Sequence, residues 1–419
     1  MQVEHSQKVV VLVDAYSSGN VLAHEFIKKG CRCAHVQSRK NLPTSILDSF
    51  RADDFFINLH YEGNDTINTL KDFDVIAVIA GCETGIEVSD ALAAELQVNG
   101  NNKNTSHVRR NKYLMQQSLS DSNLRHIPTY RITTQADAID HAVELLNDYS
   151  KVVIKPVDSA GTDSVFVSGN LDTVIEHSNR LLNESNRLNL KNEAIILQPF
   201  IDGEEYVVDT VSYAGSHKIC AIWKMGKGNY NGCNSICEFT ELTSLDAQTY
   251  ATLKEYVFSV LDAIGIEYGA GHSELFLTQD GWRLIETGAR PHGSGFPALS
   301  SFALQRTQID EFVLSICSPE QFIASIDEDY QPFQYLKIKE LISSSSGIVE
   351  SIKDVETILT LPSYKASHMP SHGQKVTVTT DVFTSPGWIA LSHCNYDQLT
   401  ADYHFIVSLE EKGMFNFHE

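Results

Sequence analysis

The segment 271–286 carries two glutamates whose spacing could place them on one ligand. Its pattern predicts a β-hairpin, with a three-residue glycine-containing loop that pairs Thr278 with Trp282. Counting back along both strands places Glu274 opposite Glu286. Residues in such positions have Cβ atoms roughly 4.5–5.5 Å apart, so two like charges are destabilising there unless a cation neutralises them. Because Mg²⁺ prefers carboxylate oxygens and often shares its shell with phosphates, the spacing predicts a metal–nucleotide site.

Two other interpretations of this pair stay open. Both glutamates could face solvent on an ordinary sheet, or a different loop length could place them on opposite faces. The residues that follow favour a site, because 287–295 is a glycine-rich segment that carries Arg290. The planar guanidinium of an arginine can bind a carboxylate or an acyl phosphate through two parallel hydrogen bonds.

Lys155 stands at the end of a β-branched strand, directly before a turn of small residues that includes Ser159 and Gly161. An ammonium beside such a turn suits phosphate, because backbone amides of the turn can also donate to the phosphate oxygens. The Walker pattern does not occur, so this is not a P-loop. Taken alone, a surface lysine before a turn is the simpler interpretation, and the same holds for Lys112.

The order of the motifs along the chain is more informative than any one of them. Five segments together resemble the ATP-grasp superfamily, and the resemblance covers roughly residues 75–300, with 80–85 similar to the end of that family's N-terminal domain. The segments are Asn111-Lys112-Tyr-Leu-Met115, Ile154-Lys155-Pro156, Gln198-Pro-Phe-Ile-Asp-Gly-Glu-Glu-Tyr-Val-Val-Asp209, His272-Ser-Glu274 and Ile285-Glu286-Thr-Gly-Ala-Arg290. The resemblance implies that ATP binds between two α+β lobes, and that a carboxylate is activated as an acyl phosphate and attacked by an amine.

The resemblance also implies which residues bind the nucleotide. Lys112 and Lys155 would contact phosphates and adenine, and Ser159 and Gly161 would lie in the phosphate-binding loop. The remaining nucleotide contacts would be the adenine-reading hinge and one residue near the ribose. These are Gln198, Pro199, Phe200 and Ile201 for the hinge and Glu205 for the ribose.

The metal and the activated carboxylate have their own implied contacts. Glu274 and Glu286 would hold Mg²⁺, with Mn²⁺ as an alternative, and Arg290 would stabilise the acyl phosphate. The sequence departs from the family pattern in two places. Gly288 stands where many members have a metal-binding asparagine, and Gln198 begins the hinge in place of the frequent glutamate.

The ending Glu-Thr-Gly-Ala-Arg-Pro at 286–291 and the stand-alone length, with no biotin-carrier or transferase module, resemble the bacterial L-amino-acid ligases that make dipeptides. This resemblance implies that one amino acid, bound by its carboxylate near Arg290, Gly293 and Gly295, is phosphorylated and then attacked by the amino group of a second. ADP and phosphate would be released. L-arginine is one candidate for the first substrate, and Glu83 is compatible with a basic side chain without identifying it.

Two further features concern the reaction itself. His272 and His292 are candidates for the base that takes a proton from the attacking ammonium, although a histidine near a nucleotide is more often a hydrogen-bonding wall residue. The glycine-punctuated segment 224–232 predicts a loop that closes over the acyl phosphate and excludes water. A merely mobile surface loop is the alternative.

Two other functions stay open. One is a carboxylate–amine ligase of purine or cofactor biosynthesis with the same fold. The other is a non-catalytic, ATP-binding regulatory protein, which the presence of both lysines, both glutamates and the arginine disfavours because binding alone does not need the whole set.

The elements that must position these residues predict an α/β and α+β chain. Non-alternating apolar strands, among them Val9–Val13 and Val75–Ala80, favour a parallel sheet covered on both faces. The resemblance implies the ATP-grasp fold, with an N-terminal parallel-sheet domain, a small central lid domain and a C-terminal mixed-sheet domain. The predicted segments are an N-terminal domain 1–105, a linker helix 106–128, a first lobe 129–200, a second lobe 201–330 with the metal and substrate site, and an antiparallel subdomain 331–419 with strands at 335–341, 375–382, 388–394 and 400–407.

Composition limits the partners. The 419 residues include 32 Lys+Arg and 54 Asp+Glu, and the net charge of −22 disfavours nucleic acid and anionic membranes. No apolar run approaches the ~20 residues that span a bilayer, and no export signal is recognised, so we expect a cytoplasmic protein. The eight cysteines show no disulfide or zinc pattern and are expected to be free thiols. The expected partners are small-molecule amino acids, with a homodimer left open.

Overall fold

The computed structural model describes residues 7–159 and 163–418, which form four β-sheets and their covering helices. Gly161, predicted to bind phosphate, lies outside the described residues. None of the helices within these two ranges is long and apolar enough to cross a membrane.

The N-terminal sheet consists of four parallel strands, as the sequence predicts. They are β1 (Val9–Val13), β2 (Arg32–Gln37), β3 (Ile57–His60) and β4 (Val75–Ala80), in the order β3-β2-β1-β4. Their helices are α1 (Leu22–Lys28), α2 (Thr44–Leu47), α3 (Asn64–Leu70) and α4 (Ile86–Leu96). All five residues of β1 are buried, and alternate residues join separate cores on the two faces of the sheet. Burial on both faces explains why this strand lacks a polar alternation.

A short connector leads from this domain to the rest of the chain. A 3-10 helix at Lys103–Arg109 is followed by α5 (Lys112–Asp121), which begins at an Asn111 cap. The side chain of Arg109 is fully buried and forms an ion pair with Asp90 of α4 at 2.7 Å. It also donates hydrogen bonds to backbone carbonyls, including that of Gly265 at 3.0 Å. Arg109 therefore joins the connector to elements far apart in sequence.

A small antiparallel sheet follows the connector. Its strands are β5 (Tyr130–Ile132), β6 (Val152–Pro156), β7 (Phe166–Ser168) and β8 (Ile195–Pro199), in the order β5-β8-β6-β7. Two helices, α6 (Gln135–Asp148) and α7 (Leu171–Leu181), cover it and supply its apolar core.

The large sheet begins with strands β9 (Glu204–Tyr213), β10 (Ser216–Tyr230), β11 (Cys233–Leu242), β12 (Gly269–Thr278), β13 (Gly281–Gly288) and β14 (Tyr335–Glu340). The intervening helices are α8 (Ala247–Ile264), α9 (Phe296–Ser300), α10 (Gln308–Cys317) and α11 (Pro319–Ala324). The residues that pack against α8, such as Val208, Leu275 and Leu284, alternate with polar residues of the opposite face. Strand alternation therefore presents the polar side chains of β9, β12 and β13 on the face away from α8.

The last segment extends this sheet with two strands and also forms a small sheet of its own. Its elements are β15 (Gly347–Ile352), α12 (Val355–Leu359), β16 (Tyr364–His368), β17 (Lys375–Val376), β18 (Trp388–His393), α13 (Tyr396–Glu411) and β19 (Phe415–Phe417). The large sheet has the order β13-β12-β9-β10-β11-β14-β18-β16, and β17-β15-β19 form the fourth sheet.

Two of the predicted strands in this segment are wrong. Residues 400–407 lie within the helix α13, where Asn395 caps the first turn and buried positions such as Leu399, Tyr403 and Ile406 recur at helical spacing. The β-branched and aromatic residues here pack a helix, because tertiary burial overrides their strand propensity. Of residues 375–382, only Lys375–Val376 pair as a strand.

The predicted loop at 224–232 is also wrong, because most of it is paired strand. β10 runs to Tyr230 and pairs with β11. A Cβ at Gly226 would lie 2.1 Å from the ring of Phe239, and one at Gly228 would lie 2.5 Å from the ring of Tyr230. These glycines make room for aromatic rings, which the sequence pattern cannot distinguish from flexibility. At the hairpin tip, Asn231 donates hydrogen bonds to two backbone carbonyls of the C-terminal segment.

The buried Arg109 allows a test of how the connector holds the fold. We expect Arg109→Ala to lower the free energy of unfolding by about 3–5 kcal/mol, because the change leaves the buried carboxylate of Asp90 without its cation. Urea unfolding followed by fluorescence measures this. Arg51→Ala, at an exposed arginine, is the control. A loss below about 1 kcal/mol, the range of a surface pair, would contradict the assignment.

Candidate active site

A cavity of about 770 Å³ lies between the small sheet and the large sheet. Its lining includes ten of the residues that the sequence predicts to bind nucleotide or metal. They are Lys112, Lys155, Ser159, Gln198, Pro199, Phe200, Ile201, Glu205, Glu274 and Glu286. The remaining predicted residues of the described chain, Glu83, His272, Arg290, His292, Gly293 and Gly295, do not line this cavity.

The two glutamates of the hairpin β12–β13 pair as predicted, but by a different register. The turn has two residues, so Thr278 pairs with Gly281 and Leu277 pairs with Trp282. The predicted pairing of Thr278 with Trp282 is therefore wrong. A β-bulge at Ile285 then adds one residue to β13 and restores the pairing of Glu274 with Glu286.

Glu274 is held on its strand by a buried network. His272, two residues earlier on the same face, lies with Nε2 3.4 Å from a Glu274 oxygen and Nδ1 3.2 Å from Asp209. Burial alone would raise the pKa of Glu274, but the contact with His272 lowers it to about 2. Glu274 is therefore an ionised carboxylate at neutral pH.

Asp209 is the centre of this network. Its carboxylate accepts a hydrogen bond from Trp223 Nε1 at 2.8 Å and contacts His292 Nδ1 at 3.1 Å, in addition to His272. The two imidazole rings lie 4.1 Å apart between centroids, and His292 stacks on Phe296. Burial lowers the pKa of His292 to about 4, whereas the pKa of His272 is raised because its hydrogen bonds to carboxylates outweigh burial.

Sequence reasoning placed both histidines near the site but missed Asp209. The residue ends the quoted hinge motif, and its alternation with Glu205 on one strand face was the available signal. An acidic residue inside a run of buried β-branched residues is uncommon and normally has a partner. Here the partners are two histidines and a tryptophan.

Lys112 connects Glu286 to the loop at Ser159, which the sequence predicts to bind phosphate. Its Nζ forms an ion pair with Glu286 and donates to the backbone oxygen of Ser159 at 2.8 Å. Burial would lower the pKa of Lys112, yet Glu286 raises it, so the ammonium stays charged. The Ser159 hydroxyl in turn donates to Asp163 at 2.6 Å.

Lys155 differs from Lys112 because no hydrogen bond or ion pair engages its ammonium within residues 7–159 and 163–418. The side chain is buried, and burial lowers its pKa to about 8 although Glu286, Glu274 and Glu205 oppose the shift. A desolvated, unengaged cation at the cavity wall is suited to a phosphate oxygen, which would supply the missing counter-charge.

Glu205 and the hinge complete the cavity. Both oxygens of Glu205 accept from Lys227 Nζ at 2.7 Å, and burial raises the pKa of this glutamate. Sequence reasoning missed Lys227, which it placed in a loop. The Gln198 side chain donates to Thr129 Oγ1 at 2.8 Å, away from the backbone edge predicted to read adenine.

The residues predicted to bind the substrate carboxylate follow Glu286 in the chain. They lie at the contact between the end of β13 and the N-terminal domain. Arg290 Nε donates to one oxygen of Glu83 at 2.9 Å, and Arg110 Nη1 lies 2.9 Å from the other. Arg110 also pairs with Asp158, beside the phosphate loop. Burial would raise the pKa of Glu83, but the two arginines hold it below its usual value. Arg110, which sequence analysis assigned only to the linker, is thus a further member of this cluster.

The turn after Arg290 is fixed to the same domain. The amide of Gly295 donates to Ser18 Oγ at 3.0 Å, and that of Ser294 donates to Ser17 Oγ at 3.2 Å. Gly293 lies against Ser17 as well. The predicted substrate glycines therefore sit where the hairpin segment meets the N-terminal sheet.

The donor set fits a hard divalent cation. Glu274 and Glu286 are directly opposed on one face of the hairpin, and oxygen donors of this kind suit Mg²⁺ or Mn²⁺. Gly288 cannot be replaced by the asparagine of many relatives without rearrangement, because a Cβ there would lie 2.8 Å from a Glu83 oxygen. The chain itself thus offers two carboxylates from the hairpin.

Comparisons with known proteins agree with this geometry. Residues 149–296 match the family model described as ATP-grasp domain. Over 400 residues, 93% of this chain and 92% of the other, the sequence is 27% identical to Dapdiamide A synthase of Enterobacter agglomerans. The L-amino acid ligase from Bacillus licheniformis has a similar structure, with a TM-score of 0.74 at 18% identity over 99% of this chain and 100% of that one. The N5-carboxyaminoimidazole synthase from Aspergillus clavatus, solved with ADP and 5-aminoimadazole ribonucleotide, gives a TM-score of 0.67 at 14% identity over 97% and 99% of the two chains.

Fold, site and domain match together define an ATP-grasp fold, with the ATP-grasp domain at residues 149–296. The domain match and the similar proteins support an ATP-dependent, ADP-forming ligase that forms a C–N bond. Among such ligases it resembles the L-amino-acid ligases.

The depressed pKa of Lys155 predicts how nucleotide binding depends on pH. The ammonium is charged below about pH 8 and neutral above it, so phosphate binding requires uptake of a proton at high pH. We expect the affinity for ATP to fall about tenfold between pH 7 and pH 9, measured by isothermal titration calorimetry.

Lys155→Arg keeps its charge over this range and should give a flatter profile. Lys151→Arg, at an exposed lysine near Phe200, should behave as the wild type. Equal slopes for the wild type and Lys155→Arg would contradict a role for Lys155 in phosphate binding.

Proposed function

We propose that this protein joins two L-amino acids into a dipeptide, through an aminoacyl-phosphate intermediate, with release of ADP and phosphate. The observation that carries this proposal is the position of Arg290 beside the metal-side carboxylates. Gly288 lies two residues after Glu286 on the same strand face, and the guanidinium carbon of Arg290 lies 3.4 Å from the position of a Cβ on Gly288. A cation at this point can bind the carboxylate that receives phosphate.

Sequence similarity supports the same activity. The similarity to Dapdiamide A synthase extends over 93% of this chain, beyond the ATP-grasp domain at 149–296. It therefore includes the N-terminal domain, which contributes Glu83, Ser17 and Ser18 to the substrate end. A regulatory protein that only binds ATP does not need these residues beside the proposed substrate site.

We propose that Glu274 and Glu286 hold Mg²⁺, or Mn²⁺ in its place. When bound, such an ion neutralises charge that develops on the phosphate oxygens during transfer. Lys155 supplies a cation from the small sheet, and Lys112 orients both Glu286 and the phosphate loop through Ser159. The hinge 198–201 and Glu205 are proposed to contact adenine and ribose.

The chain acts mainly by orientation and charge. Arg290 holds the first amino acid by its carboxylate, with the turn at Gly293 and Gly295 closing this end of the site. The negative charge that builds up on the acyl phosphate is stabilised by Arg290 and Lys155 in a buried environment. The attacking ammonium must lose a proton before it forms the C–N bond. His292, whose pKa of about 4 keeps it unprotonated, and His272 are the proposed acceptors.

The identity of the first substrate depends on which amino-acid side chain the site accepts. From the sequence, Glu83 is compatible with a basic side chain such as that of L-arginine without identifying it. In the structure, Arg110 and Arg290 already neutralise this carboxylate. L-arginine is therefore one of several first substrates to be tested, on equal terms with neutral and acidic amino acids.

Glu286→Gln tests the metal assignment. We expect ligation to fall at least about a thousandfold, because the change removes a carboxylate from the ion that stabilises phosphoryl transfer. ADP release measured with saturating ATP, Mg²⁺ and amino acids reports the effect, and circular dichroism checks the fold. Asp280→Asn, at the exposed turn of the same hairpin, is the matched control. Near-normal ADP release by Glu286→Gln would rule out the assignment.

The products test the proposed activity itself. We expect mass spectrometry to detect a dipeptide, together with ADP and phosphate, when the enzyme is incubated with ATP, Mg²⁺ and the standard amino acids singly and with L-arginine. ADP release only with a purine or cofactor precursor would replace this proposal by the other ligase function. Tight ATP binding without any amino-acid-dependent ADP release would favour a regulatory protein.

A further inference from the structure

Position 288 is a glycine because neighbouring side chains leave no room there for a Cβ atom. Its backbone does not adopt the left-handed conformation, so conformational freedom does not require a glycine here. It pairs with His272 and shares a strand face with Glu286. A Cβ at this position would lie 2.8 Å from Glu83 Oε2 and 3.3 Å from Arg290 Nε. The space that a side chain would fill is thus taken by an ion pair between two other residues.

The first partner of this pair is placed by backbone contacts. Glu83 follows β4 in the short turn Gly81–Gly85, which packs on the end of β1. A Cβ at Gly81 would lie 2.5 Å from the carbonyl oxygen of Asp14, and one at Gly85 would lie 2.6 Å from that of Val13. The turn packs closely against the end of β1, so the backbone of Glu83 is held in place beside the hairpin.

The second partner is fixed on two of its three nitrogens. Arg290 Nε donates to Glu83 at 2.9 Å and Nη1 donates to the carbonyl of Pro291 at 2.9 Å. Nη2 has no hydrogen-bond partner in the described part of the chain. Arg110 engages the other oxygen of Glu83 and also donates to its backbone carbonyl at 2.7 Å, which prevents the carboxylate from rotating away.

We propose that Glu83 and Arg110 are positioning residues that direct Nη2 of Arg290 to the reacting carboxylate, and that Gly288 provides the space in which they do so. This inference deepens the proposed function and rests on it. The role of Glu83 is thus to hold the guanidinium of Arg290 in place. This end of the site selects a substrate by its carboxylate group.

The test is a double-mutant cycle between positions 83 and 288. Glu83→Ala removes the carboxylate, and Gly288→Ala displaces it, because the carboxylate is the movable end of a side chain whereas the hairpin backbone is fixed by pairing. Each single change should lower kcat/KM for the first amino acid about tenfold or more, with a raised KM for that substrate and a KM for ATP within about twofold of the wild type. The double variant should be no worse than Glu83→Ala alone, because both changes remove the same interaction.

Two variants serve as controls. Glu83→Gln keeps an acceptor for Arg290 and should recover part of the activity lost in Glu83→Ala. Glu87→Gln, at an exposed glutamate four residues later in α4, should leave both KM values unchanged. Additive losses in the cycle, or a KM for ATP that rises in parallel, would overturn the positioning role.

The unfolding temperatures separate this inference from the proposed function. The same non-additivity should appear there, because Glu83→Ala and Gly288→Ala break one ion pair. Non-additive stability in an enzyme that forms no dipeptide would leave the geometry intact and reject the proposed function. Additive stability in an enzyme that forms dipeptides would reject the inference alone.

Discussion

The rest of this structure depends on two carboxylates of like charge that lie opposite each other on one strand pair. Glu274 and Glu286 face one cavity, and such a pair is destabilising unless cations surround it. The neutralising contacts come from different elements: the ammonium of Lys112 comes from α5, and the imidazole of His272, which lies against Glu274, comes from the same strand. The hairpin therefore depends for its electrostatic balance on residues that arrive only when the other elements have packed.

The residues of the predicted substrate end are also balanced by opposite charges, over a longer distance in the structure. Opposite charges alternate from Arg290 to Glu83, Arg110 and Asp158, and these four residues come from the hairpin segment, the N-terminal domain, the connector and the phosphate loop. Removing one member leaves its neighbours partly buried and unpaired, which is more costly than the pair itself is stabilising. An alternating row of this kind links Arg290, at the end predicted to bind a carboxylate, to Asp158, beside the loop predicted to bind phosphate.

Sequence reasoning succeeded where local pattern and long-range order agree. The parallel N-terminal sheet, the opposition of Glu274 and Glu286 and the grouping of ten predicted site residues around one cavity all followed from strand patterns and motif order. It failed where one sequence pattern is compatible with two different structures. Glycines at 226 and 228 resemble a loop but accommodate aromatic rings, and the residues at 400–407 resemble a strand but pack a helix.

Buried polar partners were the other limit. Asp209, Arg110 and Lys227 have their roles through contacts with residues distant in sequence. Only Asp209 has a local signal, its position on the same strand face as Glu205. The absence of a side chain at Gly288 was visible in the sequence as a departure from the family. Its cause required the position of Glu83, which lies far earlier in the chain.

The bulge at Ile285 has a consequence for how such hairpins change over time. A strand alternates its faces with each residue, so gaining or losing one residue in the turn would move a glutamate to the opposite face. A bulge between the turn and the carboxylates can appear or vanish to offset that change. The turn of this hairpin is thereby free to vary in length, by insertion or deletion, while the carboxylates keep their partner across the strand pair.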